Sequence, residues 1–306
     1  MNAPNLRRGI LVEVQRRTAQ VIDDVSSEEL RCAYSPEIDL KEFSNFAVGD
    51  RVEFYPGDSA QEPLITGILP RTGKISRPGP GERFARELIL AANVDLLVIV
   101  ASTQRPDFNP RQLDRYIAVA ENFKIQAIIC VNKSDLQPEI PEAARYLGSL
   151  GYELVMCSAL TGAGIASLQD KLRGRLSVFS GPSGAGKSSL IQMLIPEAGT
   201  IAGEVRRDGK GRHTTTTSRL YSTPDGMRII DTPGLRELGL WNVKPDEVAG
   251  LWRDFRPYLG TCRFNDCRHQ SEPGCALLAA VETGKIPEFR LQSYYRILET
   301  LGEESL

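Results

Sequence analysis

Apolar and polar residues alternate over short distances in the first 85 residues of this 306-residue chain. Turn residues follow each short apolar stretch, as in the Gly-Asp pairs at 49–50 and 57–58. This pattern predicts strands rather than helices. The predicted strands are Gly9–Gln15, Thr18–Ile22, Leu30–Tyr34, Arg51–Tyr55 and Ile65–Leu69. Five short strands favour a small OB-type β-barrel, a fold that often binds RNA, although a purely structural barrel is the alternative.

A different pattern begins near residue 88, where apolar runs of strand length alternate with segments of helical period. The Pro-Gly-rich stretch at 77–81 before it reads as a linker. The predicted strands are Val94–Ala101, Ala127–Val131, Leu154–Cys157, Leu176–Phe179 and Met227–Ile230. The predicted helices are Arg111–Asn122, Glu142–Leu150, Ile165–Arg173 and the segment after 189. Strand–helix alternation predicts a doubly wound, mostly parallel sheet, whose ligand site lies at the carboxyl ends of the strands.

One of those strand ends carries a phosphate-binding motif. Residues 181–189 read G-x-x-x-x-G-K-S-S, after a strand and before a helix, which is the context that a P-loop requires. Its backbone N–H groups would close around phosphate oxygens. Lys187 would reach the β- and γ-phosphates, and Ser188 would hold Mg²⁺. The motif by itself does not identify the base or the reaction.

The loops at the other strand ends contain the base-recognition motifs and the switch motif. Asn132-Lys133-Ser134-Asp135 follows one strand, and the carboxylate of Asp135 can accept two hydrogen bonds from guanine but not from adenine. The loop at Ser158 and Ala159 follows the next strand and offers a backbone N–H to the guanine carbonyl. Asp231-Thr-Pro-Gly234 follows the last strand: Asp231 is placed to act on Mg²⁺, and the Gly234 N–H is placed to bond a γ-phosphate. Together these motifs predict a GTP-binding domain.

The order of these motifs is unusual. The guanine-specific Asn-Lys-x-Asp and Ser-Ala motifs precede the P-loop, and a threonine-rich segment at 214–217 and then Asp-x-x-Gly follow it. Ordinary small GTPases begin with the P-loop, so the order is a circular permutation, which nearby chain termini make physically possible. The γ-phosphate-sensing loop therefore ends the GTPase domain and leads directly into the C-terminal region.

That C-terminal region contains a cluster of metal-ligating residues. Cys262, Cys267, His269 and Cys275 lie within 14 residues, and three thiols with one imidazole match a structural Cys₃His zinc site. The alternative is a set of reduced surface cysteines. Segments Asp246–Phe255 and Phe289–Leu301 on either side are predicted to be helical.

Composition excludes several classes and leaves two basic segments to explain. The net charge is −2, so no overall positive field indicates a nucleic-acid partner. Residues 71–86 and 204–219 are locally basic, and either segment is a candidate RNA contact. The apolar runs are too short to span a bilayer, and no signal peptide is apparent. Reduced core cysteines at 32, 130 and 157 fit a cytoplasmic compartment.

With these motifs in place, the whole chain resembles the circularly permuted GTPases typified by ribosome small-subunit-dependent GTPase A. The resemblance implies an OB-like RNA-binding barrel over 1–85, a permuted GTPase domain over 86–240 and a helical zinc domain over 241–306. It implies a bacterial cytoplasmic GTPase that acts late in 30S maturation and is stimulated by the 30S subunit. The partners expected are the 30S subunit and its 16S rRNA, with no DNA or membrane, and the protein is expected to be a monomer.

The resemblance also assigns sites position by position. The expected cofactors are GTP or GDP, Mg²⁺ on Ser188 and Thr215, and one Zn²⁺ on the Cys₃His cluster. The expected guanine-binding residues are Asn132, Lys133, Asp135, Ser158 and Ala159. The expected phosphate-binding residues are Gly181, Pro182, Ser183, Gly184, Ala185, Gly186, Lys187, Ser188 and Ser189, with Asp231 and Gly234.

The glutamine that usually orients the attacking water is missing from the sequence. Leu235 stands where Ras-like enzymes place the glutamine that orients the attacking water, and its side chain cannot do so. We therefore expect His213 to orient that water, with Lys187 and Thr215 completing the catalytic set. Thr214 and Thr216 remain alternatives for the Mg²⁺ ligand, and His213 has an alternative role in contacting rRNA.

Three other functions compete with this interpretation. A guanylate-kinase-like enzyme would share the P-loop but lack the Asn-Lys-x-Asp and Asp-Thr-Pro-Gly motifs and would need a nucleotide-monophosphate domain. A GTP-stabilised RNA scaffold would bind GTP with little hydrolysis, which Leu235 leaves open. A membrane-associated GTPase would need an amphipathic basic helix or a lipidation signal, and neither is present in the sequence.

Overall fold

The chain folds into a β-barrel, an α/β sheet and a C-terminal helical region. The computed structural model describes residues 6–38, 46–58, 61–78, 87–196, 218–232, 240 and 242–303. Within those residues, no helix has both the length and the apolar character that crossing a bilayer would require.

The N-terminal strands form a closed five-stranded barrel. They are β1 (Arg7–Val14), β2 (Thr18–Asp23), β3 (Glu29–Tyr34), β4 (Arg51–Tyr55) and β5 (Leu64–Ile68). The ladder runs β1-β2-β3-β5-β4 and closes because β4 also pairs with β1. Alternate residues such as Leu11, Val21 and Phe54 point inward and fill the barrel. The barrel predicted from the strand pattern is confirmed, and each strand lies within two residues of its predicted position.

A hairpin connects the barrel to the rest of the chain, where the sequence predicts a linker. Strand β6 (Lys74–Pro78) pairs antiparallel with β7 (Glu87–Ala92). The linker prediction is therefore wrong for its first two residues, since Arg77 and Pro78 belong to β6. The Lys74 ammonium and the Ser76 hydroxyl both donate to the Glu87 carboxylate at 2.6 Å, which holds the two strands together.

The central sheet is doubly wound, as predicted. Strands β8 (Leu96–Ser102), β9 (Gln126–Asn132), β10 (Glu153–Met156), β11 (Leu176–Ser180) and β13 (Arg228–Asp231) run parallel in the order β10-β9-β8-β11-β13. Alternate residues of β8 serve separate cores: Leu97 and Ile99 pack on one face, and Leu96 and Val98 pack on the other. Apolar residues cover both faces of this strand because helices lie on both sides of the sheet.

Four helices accompany this sheet. They are α1 (Pro110–Asn122), α2 (Glu142–Ser149), α3 (Ile165–Leu172) and α4 (Lys187–Leu194). Asn109 caps the start of α1, because its side-chain oxygen accepts from the backbone N–H groups of Arg111 and Gln112. All four helices are confirmed at the positions that the periodicity predicts.

A short antiparallel strand joins the central sheet to the barrel. Strand β12 (Arg219–Ser222) pairs with β13 on one side and, through Arg219 and Glu13, with β1 on the other. The Arg219 guanidinium also bonds Glu13 and Glu29 at 2.8 Å each. Barrel and central sheet therefore form one continuous eleven-stranded sheet.

The C-terminal region differs from its prediction in two elements. Instead of a helix over 246–255, the chain forms two short 3₁₀ turns, Val248–Leu251 and Arg256–Tyr258. The backbone turns extended at Trp252, with φ −94° and ψ 115°, and Gly250 weakens any α-helix that contains it. The predicted final helix is confirmed as α6 (Glu288–Glu303), and a helix that the sequence did not predict, α5 (Ala276–Glu282), precedes it.

Candidate nucleotide and metal sites

The P-loop occupies the turn between β11 and α4. Gly181 and Gly186 have positive φ angles of 138° and 97°. A Cβ at Gly181 would lie 2.1 Å from the Val100 carbonyl oxygen, and one at Gly186 would lie 2.2 Å from the Asn132 side-chain nitrogen. Both positions therefore need glycine for conformation and for space. The Lys187 ammonium donates to the carbonyls of Gly181 and Pro182 at 2.7 Å each, which folds the loop around its own lysine.

Asn132 connects the base-side loops to the P-loop. Its side-chain nitrogen donates to the Ala185 carbonyl at 2.9 Å, and its side-chain oxygen accepts from the Ala159 N–H at 3.0 Å. Asn132 is buried, so these bonds hold the three loops in a fixed relation. The structure thus brings together the Asn-Lys-x-Asp, Ser-Ala and P-loop motifs that the sequence analysis selected.

Lys133 makes a second connection to the P-loop. Its ammonium donates to the Gly184 carbonyl at 2.8 Å and to the Arg105 carbonyl. Its own carbonyl accepts from the Thr103 hydroxyl at 2.7 Å. The loop after β8 therefore supports the site, a role that the sequence analysis missed; the signal available was its position at the carboxyl end of a central strand.

Asp135 and Ser158 face each other where a guanine base would lie. The Ser158 hydroxyl donates to Asp135 Oδ1 at 2.5 Å, and the same hydroxyl oxygen accepts from the Thr161 N–H at 3.1 Å. The hydroxyl therefore orients the carboxylate and occupies one lone pair of that carboxylate. A carboxylate has about four acceptor positions, so enough remain to accept from two donors of a base.

Several predicted residues of the metal and switch side cannot be compared with the structure. Ser188 is exposed at the start of α4, and Asp231 is exposed at the end of β13. His213, Thr215, Gly234 and Leu235 lie outside the described residues.

The four predicted zinc ligands come together. Cys262 Sγ lies 3.8 Å from Cys275 Sγ. His269 Nδ1 lies 3.5 Å from Cys262 Sγ, 3.5 Å from Cys267 Sγ and 3.3 Å from Cys275 Sγ. Zn–S bonds of about 2.3 Å and a Zn–N bond of about 2.0 Å at tetrahedral angles require separations of about 3.8 Å and 3.5 Å. The cluster therefore fits tetrahedral zinc.

Neighbouring groups hold this cluster in place. Cys275 is the N-cap of α5, and its sulfur accepts from the Leu278 N–H at 3.5 Å. The Tyr294 and Tyr295 hydroxyls donate to the carbonyls of Arg268 and His269 at 2.9 Å each. Helix α6 thereby fixes the backbone that carries the histidine.

An ionic network fixes α6 to the GTPase domain. Arg290 on α6 is only 1% exposed, and it bonds Asp254 through two nitrogens, at 2.9 and 2.7 Å, and Asp114 on α1 through a third. The Tyr146 hydroxyl on α2 donates to Asp254 at 3.1 Å. Burial outweighs the attraction of Arg290 and raises the pKa of Asp114 to about 6. This network, which the sequence did not reveal, joins four separate segments.

Two kinds of comparison with known proteins agree with this architecture. Residues 68–241 match the family model described as RsgA GTPase. The chain is 37% identical over 307 residues to the small ribosomal subunit biogenesis GTPase RsgA 1 of Vibrio vulnificus, covering 97% of this chain and 84% of that protein. It is 40% identical over 303 residues to the small ribosomal subunit biogenesis GTPase RsgA of Pseudomonas putida, with the same two coverages.

Solved structures show the same arrangement of the chain. The crystal structure of YjeQ from Thermotoga maritima matches with a TM-score of 0.76 at 30% identity, covering 97% of this chain and 98% of that one. YloQ, described as a circularly permuted GTPase, matches with a TM-score of 0.74 at 25% identity and coverages of 99% and 98%.

Proposed function

This chain belongs to the RsgA GTPase family, and on that premise we propose that it binds the 30S ribosomal subunit and hydrolyses GTP to GDP and phosphate during late 30S maturation. The relatives reported above are named small ribosomal subunit biogenesis GTPases. The proposed setting is the bacterial cytoplasm, and the proposed active form is a monomer. The proposed domain division remains 1–85, 86–240 and 241–306.

The observation that carries this proposal is the connection between the base-side loops and the P-loop. Asn132 and Lys133 bond the carbonyls of Ala185 and Gly184, so the guanine side and the phosphate side form one rigid site. Asp135, oriented by Ser158, would accept the N1–H and the 2-amino group of guanine. Adenine lacks this pair of donors, which makes the site selective for GTP over ATP.

The phosphate groups would lie in the P-loop of 181–189. On binding, Lys187 would exchange the carbonyls of Gly181 and Pro182 for β- and γ-phosphate oxygens. Ser188 and Thr215 would hold Mg²⁺, with Asp231 acting on the same ion and the Gly234 N–H bonding the γ-phosphate. When bound, Mg²⁺ would neutralise charge on the β- and γ-phosphates.

Hydrolysis needs a group that positions the attacking water. We assign this role to His213, because Leu235 cannot perform it and an imidazole exchanges protons near neutral pH. His213 adjoins the threonine-rich segment at 214–217, and because Leu235 cannot orient the attacking water we expect slow turnover by the isolated protein. The 30S subunit would accelerate hydrolysis by ordering that segment.

The zinc cluster has a structural role in this scheme. One Zn²⁺ would be coordinated by Cys262, Cys267, His269 and Cys275. These four ligands would fill its tetrahedral coordination, so no position would remain open for a substrate. The barrel would contact 16S rRNA, as OB-type barrels often bind RNA.

The test is GTP hydrolysis by the purified protein, alone and with 30S subunits, with ATP as the control nucleotide. We expect a slow basal rate, strong stimulation by 30S and no hydrolysis of ATP. The His213→Ala variant should lose the stimulated rate while binding GTP normally. Normal GTP binding with a rate that does not respond to 30S would favour the GTP-stabilised scaffold instead.

A further inference from the structure

A groove of about 880 Å³ lies between the start of α1 and one face of α6. Phe108, Arg111 and Arg115 line the α1 side. Phe289, Arg296 and Thr300 line the other side, and their spacing of seven and four residues places them on one face of α6. Among the described residues that line the groove, none belongs to the P-loop, to the guanine-side loops or to the zinc cluster, although its α1 end adjoins the loop after β8.

Three cationic side chains in this groove have no anionic partner among the residues that the structure describes. Arg111, Arg115 and Arg296 are exposed, and none of them forms an ion pair with the described residues. Arg111 and Arg115 lie one helical turn apart, so their side chains reach the same part of the groove. Asp107 is the single carboxylate among the described lining residues. The described part of the lining therefore has an excess of two positive charges.

The basic segments that the sequence analysis selected as RNA contacts are different. Arg71 makes two bonds to Asp50 at 2.6 and 2.7 Å, and Lys74 bonds Glu87 at 2.6 Å. Arg219 is held between Glu13 and Glu29. These three cations already have anionic partners within the chain, whereas Arg77, the fourth described cation of the two segments, forms no ion pair with the described residues. The groove arginines form no ion pair within the described ranges, so they can bind an external anion without breaking any ion pair found there.

We propose that the α1–α6 groove binds a segment of RNA backbone, an inference that rests on the proposed 30S-binding function. Arginine forks suit phosphate oxygens, and two such forks one helical turn apart suit successive phosphates of one strand. The half-buried rings of Phe108 and Phe289 add apolar surface on which a base or ribose can pack. The volume is in the range of pockets that enclose ligands of one or two nucleotides.

The test compares two double charge reversals in the full-length protein. Arg115→Glu with Arg296→Glu changes one arginine on each wall of the groove. Arg145→Glu with Arg175→Glu is the control, which makes the same change in charge on α2 and before β11.

Binding of a short fluorescent single-stranded RNA is measured by anisotropy over a range of salt concentrations. The groove variant should bind about tenfold more weakly, and its salt slope should fall by about 1.4, or 0.7 for each lost phosphate contact. The control should change neither value.

Other outcomes would overturn the proposal. Equal losses in the two variants would mean that only net charge matters. A groove variant that binds RNA normally but loses binding to polyglutamate would identify an acidic protein segment as the ligand. Stimulation of hydrolysis by 30S is measured separately with the unmodified protein. Failure of that stimulation alongside a selective RNA-binding loss would refute the proposed function and leave the groove assignment standing.

Discussion

The nucleotide site and the C-terminal region (residues 242–303) both hold distant segments together with polar side chains, but they do so differently. At the nucleotide site, the buried Asn132 and the half-buried Lys133 bond backbone carbonyls of the P-loop. In the C-terminal region, Arg290 is enclosed with two carboxylates, and four metal-ligating side chains converge on one point. Both regions connect three or more segments of the chain.

The difference lies in what each network can exchange. Bonds to backbone carbonyls at a surface can be replaced by bonds to a ligand or water at small cost. A buried charge cannot lose its partner without a large desolvation penalty. The first arrangement suits a site that binds and releases a nucleotide, whereas the second suits a joint that does not open during function. Changes in the C-terminal region should therefore act on stability, and changes at the nucleotide site should act on affinity.

Cys275→Ser should show the largest difference between the two regions, because it should lower stability while GTP affinity stays nearly unchanged. Serine can still cap α5, so the substitution removes a metal ligand while it keeps the helix start. We expect loss of the bound zinc and a loss of local stability of about 5 kcal/mol or more, since metal binding is coupled to folding. GTP affinity should change by no more than about twofold. Zinc content, limited proteolysis and nucleotide titration measure the three quantities, and retention of one zinc per chain would contradict the assignment.

The next largest effect is expected in the ionic network that Arg290 forms with Asp114 and Asp254. Arg290→Met leaves Asp114 and Asp254 buried without their cation, and we expect the free energy of unfolding to fall by about 3–5 kcal/mol. Arg296→Met, on the exposed face of the same helix, is the matched control and should cost less than about 0.5 kcal/mol. Urea denaturation measures both. Similar losses in the two variants would show that α6 depends on helix content rather than on the buried ion pairs.

A smaller free-energy change is expected for Asp135→Asn, and it should appear in binding only. An amide in place of the carboxylate presents a donor where guanine also presents donors, which should cost about 2–4 kcal/mol of GTP affinity, or about 30- to 1,000-fold. Thermal stability should be unaffected. Titration with labelled GTP checks the affinity, with exposed Asp170→Asn as the control. The variant should also gain affinity for xanthosine triphosphate, whose additional carbonyl can accept from the amide.

The smallest effect is a pH dependence of stability that arises in the same ionic network. Burial raises the pKa of Asp114 to about 6, above the ordinary value of 3.8, although Arg290 opposes the shift. The folded chain therefore binds this proton more tightly than the unfolded chain does. The associated stability is fully present below about pH 4 and is lost as the pH rises through about 6.

Comparison with Asp114→Asn isolates that proton. The stability of the unmodified protein relative to this variant should fall by on the order of 1 kcal/mol between pH 4 and pH 6. Thermal denaturation at a series of pH values gives the difference, and subtraction cancels the protonation of the zinc ligands that both proteins share. A difference that is flat over this range would mean that Asp114 ionises as an ordinary aspartate.

The sequence predicted the elements whose information is local. Strand β2 and helix α1 each carry their own period and turn or cap residues, so their positions follow from a few neighbouring residues. The motifs that begin at Asn132 and Gly181 could also be identified from the sequence, because each is a short contiguous run of glycine and polar residues directly after a predicted strand. The structure brings these motifs into contact as expected, while the roles assigned to individual residues remain proposals.

The elements that the sequence missed depend on distant partners. Strand β12 has only four residues, and it is held by Glu13, more than two hundred positions earlier in the chain. Strand β6 ends in a proline that reads as a linker unless its partner Glu87 is known. Near 250, Val248, Trp252 and Phe255 have helical spacing, but two short turns bury all three side chains equally well. Periodicity records which residues are buried, and it does not fix the backbone that buries them.

The attachment of β12 to the barrel has a consequence for dissecting this protein. With the barrel present, β1 covers the outer side of β12 at Arg219, and the buried Leu220 packs in the core beside it. A truncated chain that starts at residue 87 would leave β12 as the open border of the sheet. Unsatisfied backbone groups along such a border are templates for pairing with a second copy. Expressing the GTPase domain without its barrel should therefore yield aggregates, and protection of this border is part of what the barrel contributes.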